Sequence, residues 1–305
     1  MEEPLNYLDL AAQGKNTRWH IVGAVAALLL PWLICGSSPT LLLGFYALTD
    51  SDPNTIFDSP TNTLIGVHPV LPFIAGLLGF VFLLFGLYIA VRYIHQRPFH
   101  TLFTSTTFNW SRLWQAAGLW TLLSLLFTIF AILLFRGRYE LTFQPINFII
   151  FLFFSLLLVP LQTSAEELVF RAYVLQSFGL RVRSPMLLCL ISGALFALPH
   201  LATPELSFSV IQLVFFFFCF GFFLAYLTLE SNGLELALGV HAAHNLFTVL
   251  FVNYRGAALT TAPIFTAKFL DVNYGLFTFF ITAIIFYIWF FKLGPPSKPA
   301  APTST

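Results

Sequence analysis

The chain has 305 residues, of which 58% are apolar and 9% charged, with 14 Lys and Arg against 13 Asp and Glu. About a quarter of an average soluble domain is charged, so a soluble enzyme, a disordered chain and a disulfide scaffold are excluded, and the solvent of this chain is mostly lipid. The near balance of charge argues against a nucleic-acid partner. Cys35, Cys189 and Cys219 lie in apolar stretches without paired spacing, which fits small buried hydrophobes better than a disulfide framework or a zinc finger.

A bilayer core of about 30 Å takes about 20 apolar residues in a helix. The N-terminus opens on Glu2 and Glu3 before a long apolar run with no clean small-residue cleavage site, unlike a cleaved signal peptide. The first apolar segment covers residues 21–48, interrupted near 36–39. Residues 70–91 and 113–134 follow, then a long fourth segment over 146–178. The last four cover 185–201, 208–229, 234–252 and 275–293, and the Pro-, Ala-, Ser- and Thr-rich tail over 295–305 is expected to be disordered. The predicted fold is therefore all-α, a polytopic integral membrane protein with about eight transmembrane helices. It divides into an N-terminal region with three of them (1–145), a core (146–252), and a last helix with its tail (253–305).

Loop charge sets the orientation. With the N-terminus in the cytoplasm, that side receives Lys15, Arg18, Arg92, Arg97, Arg112, Arg181, Arg183, Lys292 and Lys298. The other side receives Arg136, Arg138, Arg255 and Lys268, and its first loop holds Asp50, Asp52 and Asp58 with no basic residue. Both termini are expected inside.

One charged cluster sits where lipid penalises it: Glu166, Glu167 and Arg171 in the fourth segment. An ionisable side chain at the bilayer centre costs about 2.5–3.5 kcal/mol even on insertion scales, so these three require compensation. Glu167 and Arg171 are spaced to pair along one helix face in the favourable acid-first order, which aims Glu166 elsewhere. Two later segments carry Phe196-Ala-Leu-Pro-His200 and His241-Ala-Ala-His244-Asn245. His241, His244 and Asn245 share a helix face. A polar turn follows the fourth segment, where Ser184 suits an N-cap and Pro185 the first helical position. Glu166 and His200 are equidistant from Arg183 in that turn, so an antiparallel hairpin brings them level. His241 lies closer to its own turn, at 230–233, and tilt, kinks at Pro160 and Pro199, or a funnel open to the cytoplasm would bring it to the same depth.

Glu166-Glu167-x-x-x-Arg171, Phe196-x-x-x-His200 and His241-x-x-x-Asn245, in that order and each on its own hydrophobic segment, resemble the three-motif signature of the CPBP (Abi) family. That family includes the type II CAAX prenyl endopeptidases, glutamate-dependent intramembrane proteases. The resemblance covers about residues 146–252. It implies that Glu166, with His200, binds and activates the attacking water, that Glu167 and Arg171 form an orienting ion pair, and that His241 and Asn245 stabilise the oxyanion. Assigning the base to Glu166 rather than Glu167 rests on the resemblance alone. The residue chemistry is compatible: amide hydrolysis takes a base tuned by burial and donors aimed at the developing oxyanion.

The implied activity is an intramembrane endopeptidase acting on membrane-associated protein or peptide substrates, prenylated CAAX-type chains among them. It lies in a bacterial inner membrane, or in the endoplasmic reticulum if the source is eukaryotic. Two other classes compete: a catalytically inactive membrane scaffold or immunity protein, and a proton-coupled transporter, since intramembrane carboxyls and histidines often carry ions. No cofactor is expected. Zinc held by His200, His241, His244 and the glutamates is the rival, but the HExxH pattern is absent. Blander roles remain for neighbouring residues. His244 falls outside the motif pattern and suits packing, and His20, His68, His95 and His100 suit the interface. Tyr7, Trp19, Trp32, Trp110, Trp114, Tyr139 and Tyr254 suit an aromatic belt.

Overall fold

The computed structural model describes residues 6–52, 54–58 and 63–293; Glu2, Glu3, Lys298 and the tail from residue 295 lie outside them. After a 3-10 helix over Tyr7–Gln13 come α1 (Arg18–Ile34) and α2 (Ser38–Thr49), then a hairpin of β1 (Ile56–Asp58) and β2 (Thr63–Ile65). α3 (Val70–Ile89) and α4 (Trp110–Leu134) lead to β3 (Tyr139–Leu141) and α5 (Pro145–Glu167). α5 runs on through a π-helical turn over Leu168–Val174 into α6 (Leu175–Gly179). α7 (Pro185–Ala197), α8 (Val210–Ser231) and α9 (Glu235–Leu250) follow. The chain closes with β4 (Val252–Tyr254), β5 (Phe265–Ala267) and α10 (Val272–Tyr287). The architecture is all-α with short strands in the loops; β5 pairs antiparallel with β3 and parallel with β4.

Among the described residues seven helical stretches are long and apolar enough to cross a membrane: Arg18–Thr49, Val70–Ile94, Trp110–Leu134, Pro145–Gly179, Pro185–Ala202, Val210–Ser231 and Val272–Leu293. The segment expected over 234–252 is the exception. Its helix, α9, has 16 residues and is about 24 Å long at 1.5 Å per residue, short of a 30 Å core. It is also the most enclosed helix, packed against α4, α5 and α8, with Leu236, Ala237 and Val240 fully buried. By contrast α2 leaves Leu41 and Leu42 more than two-thirds exposed, as a lipid-facing helix does.

Local sequence explains the helix ends. Asn109 Oδ1 accepts from the Arg112 amide at 3.1 Å at the start of α4, and Ser184 Oγ accepts from the Leu187 amide at 3.4 Å ahead of Pro185. Asp271 caps α10 through the Tyr274 amide at 3.0 Å. The expected interruption in the first segment falls between α1 and α2, where Gly36 lies against the α3 backbone. A Cβ there would stand 2.2 Å from the Trp32 carbonyl oxygen and 3.1 Å from that of Gly79.

Hydrogen bonds tie the loops together at each end of the bundle. At the end carrying the N-terminus, the Tyr7 hydroxyl donates to the Leu102 carbonyl at 2.5 Å, the Tyr7 amide donates to Asn232 Oδ1 at 2.7 Å, and Arg183 meets Asp9 at 2.6 Å. At the other end lie the three-stranded sheet and the pairs Arg138–Asp271 and Arg255–Glu140, each at 2.6 Å. The N-terminal 3-10 helix covers more than an interfacial role for its neighbours anticipates. Tyr7 is buried, and so are His95 and Arg97. His95 faces the Lys15 carbonyl at 2.7 Å and the Tyr173 hydroxyl at 3.0 Å, while Arg97 donates to Gln176 Oε1 at 2.8 Å. Burial lowers the pKa of both His95 and Arg97. Trp19, Trp110 and Trp114 are exposed, as an aromatic belt requires. Cys189 is buried, but Cys35 is exposed at the α1–α2 break rather than packed inside.

α7 and α8 cross closely because Gly193 and Gly221 meet there. A Cβ on Gly193 would stand 2.8 Å from the Phe218 carbonyl oxygen, and one on Gly221 would stand 3.0 Å from the Gly193 Cα. Gly193→Val should therefore force the two helices apart, lower stability by about 1–3 kcal/mol, and displace the 3-10 turn after α7 that carries His200. Gly118→Ala, at a site with nothing within 4 Å, should be neutral. Thermal unfolding of both variants in detergent checks the contrast.

Candidate active site

The centre of the site is α5 and the turn that extends it. Gln162 and Glu166 are one helical turn apart on α5, and Glu167 ends it. The following turn widens to a π-helix, a feature often found at functional sites. The Phe170 carbonyl within that turn is satisfied from outside the helix by Ser192 Oγ of α7 at 3.2 Å.

Glu167 and Arg171 form the expected ion pair, Nη1 to Oε1 at 3.1 Å, with both side chains fully buried. The guanidinium also lies over the Phe196 ring, 4.1 Å from its centroid. Such a cation–π contact contributes about 2 kcal/mol when desolvated, and here it stands in for missing acceptors: Nε, Nη1 and Nη2 of Arg171 make no hydrogen bond, nor does Glu167 Oε2.

His241, from the second turn of α9, joins both carboxyl groups. Its Nδ1 is 2.6 Å from Glu167 Oε1 and its Nε2 is 3.4 Å from Glu166 Oε2. The ring is held edge-on between Phe196 and Phe220, at centroid distances of 5.8 and 5.3 Å. The four groups form one chain, Glu166–His241–Glu167–Arg171. It is electrically neutral when His241 carries a proton on each nitrogen, and so its burial avoids most of the cost of isolated charges.

This differs from the sequence expectation in two respects. His241 was expected to face an oxyanion, and it instead has both nitrogens on carboxyl oxygens. Glu166 was expected against His200, yet no hydrogen bond joins them. His200 lies within Coulombic range of Glu166 and His241, but its Nδ1 is 2.8 Å from the Phe196 carbonyl and its ring stacks on Phe217 at 3.9 Å. α7 ends at Ala197, and the chain turns into a 3-10 helix over Pro199–Ala202. That turn sets the imidazole against the Phe217 ring. A carbonyl only accepts, so the Nδ1 of His200 carries the proton and a neutral ring keeps its lone pair on Nε2.

Asn245 Nδ2 donates to Gln162 Oε1 at 3.1 Å. Gln162 is a residue that sequence reasoning missed, although an amide in an apolar helix one turn before Glu166 was the available signal. His244, on the same face of α9, packs among aromatic rings, 5.0 Å from Phe220.

A cavity of about 620 Å³ opens near this chain of charges, bounded by α3, α4, α5, α8, α9 and α10. His200, Asn245 and Gln162 line its inner part, and Tyr139, Tyr254 and Asp271 line the end at the three-stranded sheet. The funnel thus meets the bundle end opposite the N-terminus. Glu166 and Glu167 differ in how firmly they are held: the Glu167 side chain is fully buried and twice held, whereas that of Glu166 is 12% exposed, has one contact at 3.4 Å and lies one helical turn from Gln162 in the cavity wall. Among the described residues no three His, Cys, Asp or Glu side chains converge as a metal site.

Residues 145–247 match the family model described as type II CAAX prenyl endopeptidase Rce1-like. The chain is also 30% identical over 253 residues to "Uncharacterized protein YyaK" of Bacillus subtilis (strain 168), a match covering 82% of this chain and 83% of that protein. No solved structure matches.

Arg171→Ala removes the fixed cation from a buried pair and strands Glu167, which should cost about 3–5 kcal/mol. Unchanged thermal stability and expression of this variant would contradict the pairing described.

Proposed function

The chain belongs to the type II CAAX prenyl endopeptidase Rce1-like family, and from that membership and the geometry above we propose that it is an intramembrane endopeptidase. It hydrolyses peptide bonds of membrane-associated substrates with a glutamate-activated water. The observation that carries this reading is the asymmetry of the two glutamates: one is locked by Arg171 and His241, and the other has a single contact at 3.4 Å and stands one helical turn from Gln162 in the cavity wall.

In this reading Glu166 accepts a proton from water while the Nε2 lone pair of His200 holds the same water. The oxygen attacks the substrate carbonyl carbon, and the resulting oxyanion takes a hydrogen bond from the Asn245 side-chain amide. One N–H of that amide is spent on Gln162, and the other is free for the oxyanion. The C–N bond then breaks, and the proton held by Glu166 passes to the departing amine. His241 and Glu167 act as positioning groups: they hold the charge next to Glu166 constant and fix its carboxyl group. The reading is of a metal-free reaction, in which the imidazole of His241 serves both carboxyls.

The protein is an integral membrane protein with long lipid-facing helices. We infer that both termini lie in the cytoplasm, since Lys15, Arg18, Arg92, Arg181, Arg183 and Lys292 belong to the bundle end that carries the N-terminus. The cavity then opens on the far side of the membrane, which in a bacterium is the outer face of the plasma membrane. Its aromatic wall, with Trp120, Phe216 and Phe279, suits an apolar segment of a membrane-held peptide, and a lipidated chain is one such substrate.

Two tests follow. Wild type and Glu166→Gln, expressed equally in a host lacking its own copy, should differ in new peptide termini across the membrane proteome. The variant should lose about a hundred- to ten-thousandfold in rate, as removal of a general base does; wild-type activity should survive a chelator. Matching termini, or loss to a chelator reversed by zinc, would replace the reading. For orientation, Arg255→Cys should react with an impermeant maleimide on intact cells, and Arg181→Cys only after permeabilisation.

A further inference from the structure

One carboxyl group of the cavity wall has no role in the chemistry above. Glu205 lies on the 3-10 helix Pro204–Ser207, between α7 and α8, and forms part of the cavity wall. It is 7% exposed. Its Oε1 is held from the opposite side by the Ala258 amide at 2.6 Å and the Tyr254 hydroxyl at 3.2 Å. Burial and the neighbouring Glu205 raise the Tyr254 pKa well above its ordinary value, so the phenol stays a donor. The other oxygen, Oε2, is buried and has no hydrogen-bond partner. A buried carboxyl oxygen without a donor is costly, and a group oriented on one side and unanswered on the other suits a ligand.

The charge of the surroundings identifies the ligand. Among the described residues the cavity wall holds two acidic side chains, Glu205 and Asp271, and no Lys or Arg. Asp271 is already paired with Arg138 and caps α10, so Glu205 is the acid left without a cation. The chain from His200 to Glu205 spans at most about 18 Å, the length of about five residues of an extended substrate.

We propose that Glu205 is a specificity subsite of the cavity that receives a cationic group of the substrate, a Lys or Arg side chain or an α-ammonium, within about five residues of the scissile bond. Tyr254 and the Ala258 amide are its positioning groups. The distance to a scissile bond rests on the endopeptidase reading; binding of the cation does not. The cation donates to the oxygen that the fold leaves unpaired, and the aromatic wall takes the apolar remainder of the peptide.

The test uses the full-length protein in lipid nanodiscs and a positional peptide library with Lys, acetyl-lysine, norleucine or Glu at each position. Wild type should cleave the Lys peptide at least tenfold faster than its acetyl-lysine counterpart at one position, the scale of a charge-assisted hydrogen bond. Glu205→Gln should reduce that preference to about twofold. Tyr254→Phe, which keeps the carboxyl group but loosens it, should reduce the preference partway and covers the case in which Glu205→Gln does not fold. The same peptides are titrated onto Glu166→Gln, where the Lys preference should persist as a tenfold difference in Kd without turnover. Preference in binding with no cleavage by wild type would overturn the endopeptidase reading and leave the subsite standing. Equal handling of Lys and acetyl-lysine at every position, or a Lys preference that survives both the Glu205 and Tyr254 substitutions, would overturn the subsite.

Discussion

Two adjacent carboxyl groups inside an apolar bundle are the constraint around which this fold is arranged. Neither Glu166 nor Glu167 can be left bare among side chains such as Phe196 and Phe220, because a lone ionised group in that medium costs several kcal/mol. The balancing groups come from two places. Arg171 is supplied by the same helix through the π-helical turn, and His241 is supplied by α9. Because His241 touches both glutamates, α9 is held against α5 by charge as well as by packing, which is consistent with its enclosed position and its short length.

That arrangement divides the site into a rigid part and a responsive one. Glu167 and Arg171 are held in place by each other, by the imidazole and by the Phe196 face, with Glu167 Oε2 and the guanidinium nitrogens left without hydrogen bonds. Glu166 and His200 keep a free valence each: a carboxyl group with one long contact, and an Nε2 whose partner nitrogen is spent on a main-chain carbonyl. In the proposed reaction, preorganisation of this kind would confine proton movement to Glu166 and His200. The close crossing of α7 and α8 at Gly193 and Gly221 serves the same end, since it seats Phe196 between Arg171 and His241. Phe196 is thereby a platform for the cation and a wall for the imidazole at once.

The polar residues divide by whether their partners are near in sequence. The pairing of Glu167 with Arg171 was legible because both ride one helix, where spacing fixes contact. The common face of His241 and Asn245 was legible for the same reason. Their partners were not. Asn245 bonds Gln162, and His241 bonds Glu167, across helices separated by most of the core region; no periodicity within either helix encodes which faces meet. Counting from the turn at Arg183 set His200 level with Glu166, but Pro199 ends the regular helix and a 3-10 turn redirects the imidazole toward Phe217. Glu205 gave no signal, since one acid in a polar loop is ordinary until its burial is known.

Composition and apolar run length determined the solvent of this protein, and hence its all-helical architecture, because a backbone in lipid must satisfy its own hydrogen bonds. The sequence also placed the ionisable cluster, through the cost of charge in an apolar run, and set the cap at Ser184, whose partner lies within one turn. The tertiary structure decided which carboxyl group is locked and which is free, since that depends on where α9 docks. It decided that His95 and Arg97 are interior, because a distant N-terminal segment folds over them. It also decided where the cavity opens, because a void is bounded by several helices at once and its shape is written in none of them alone.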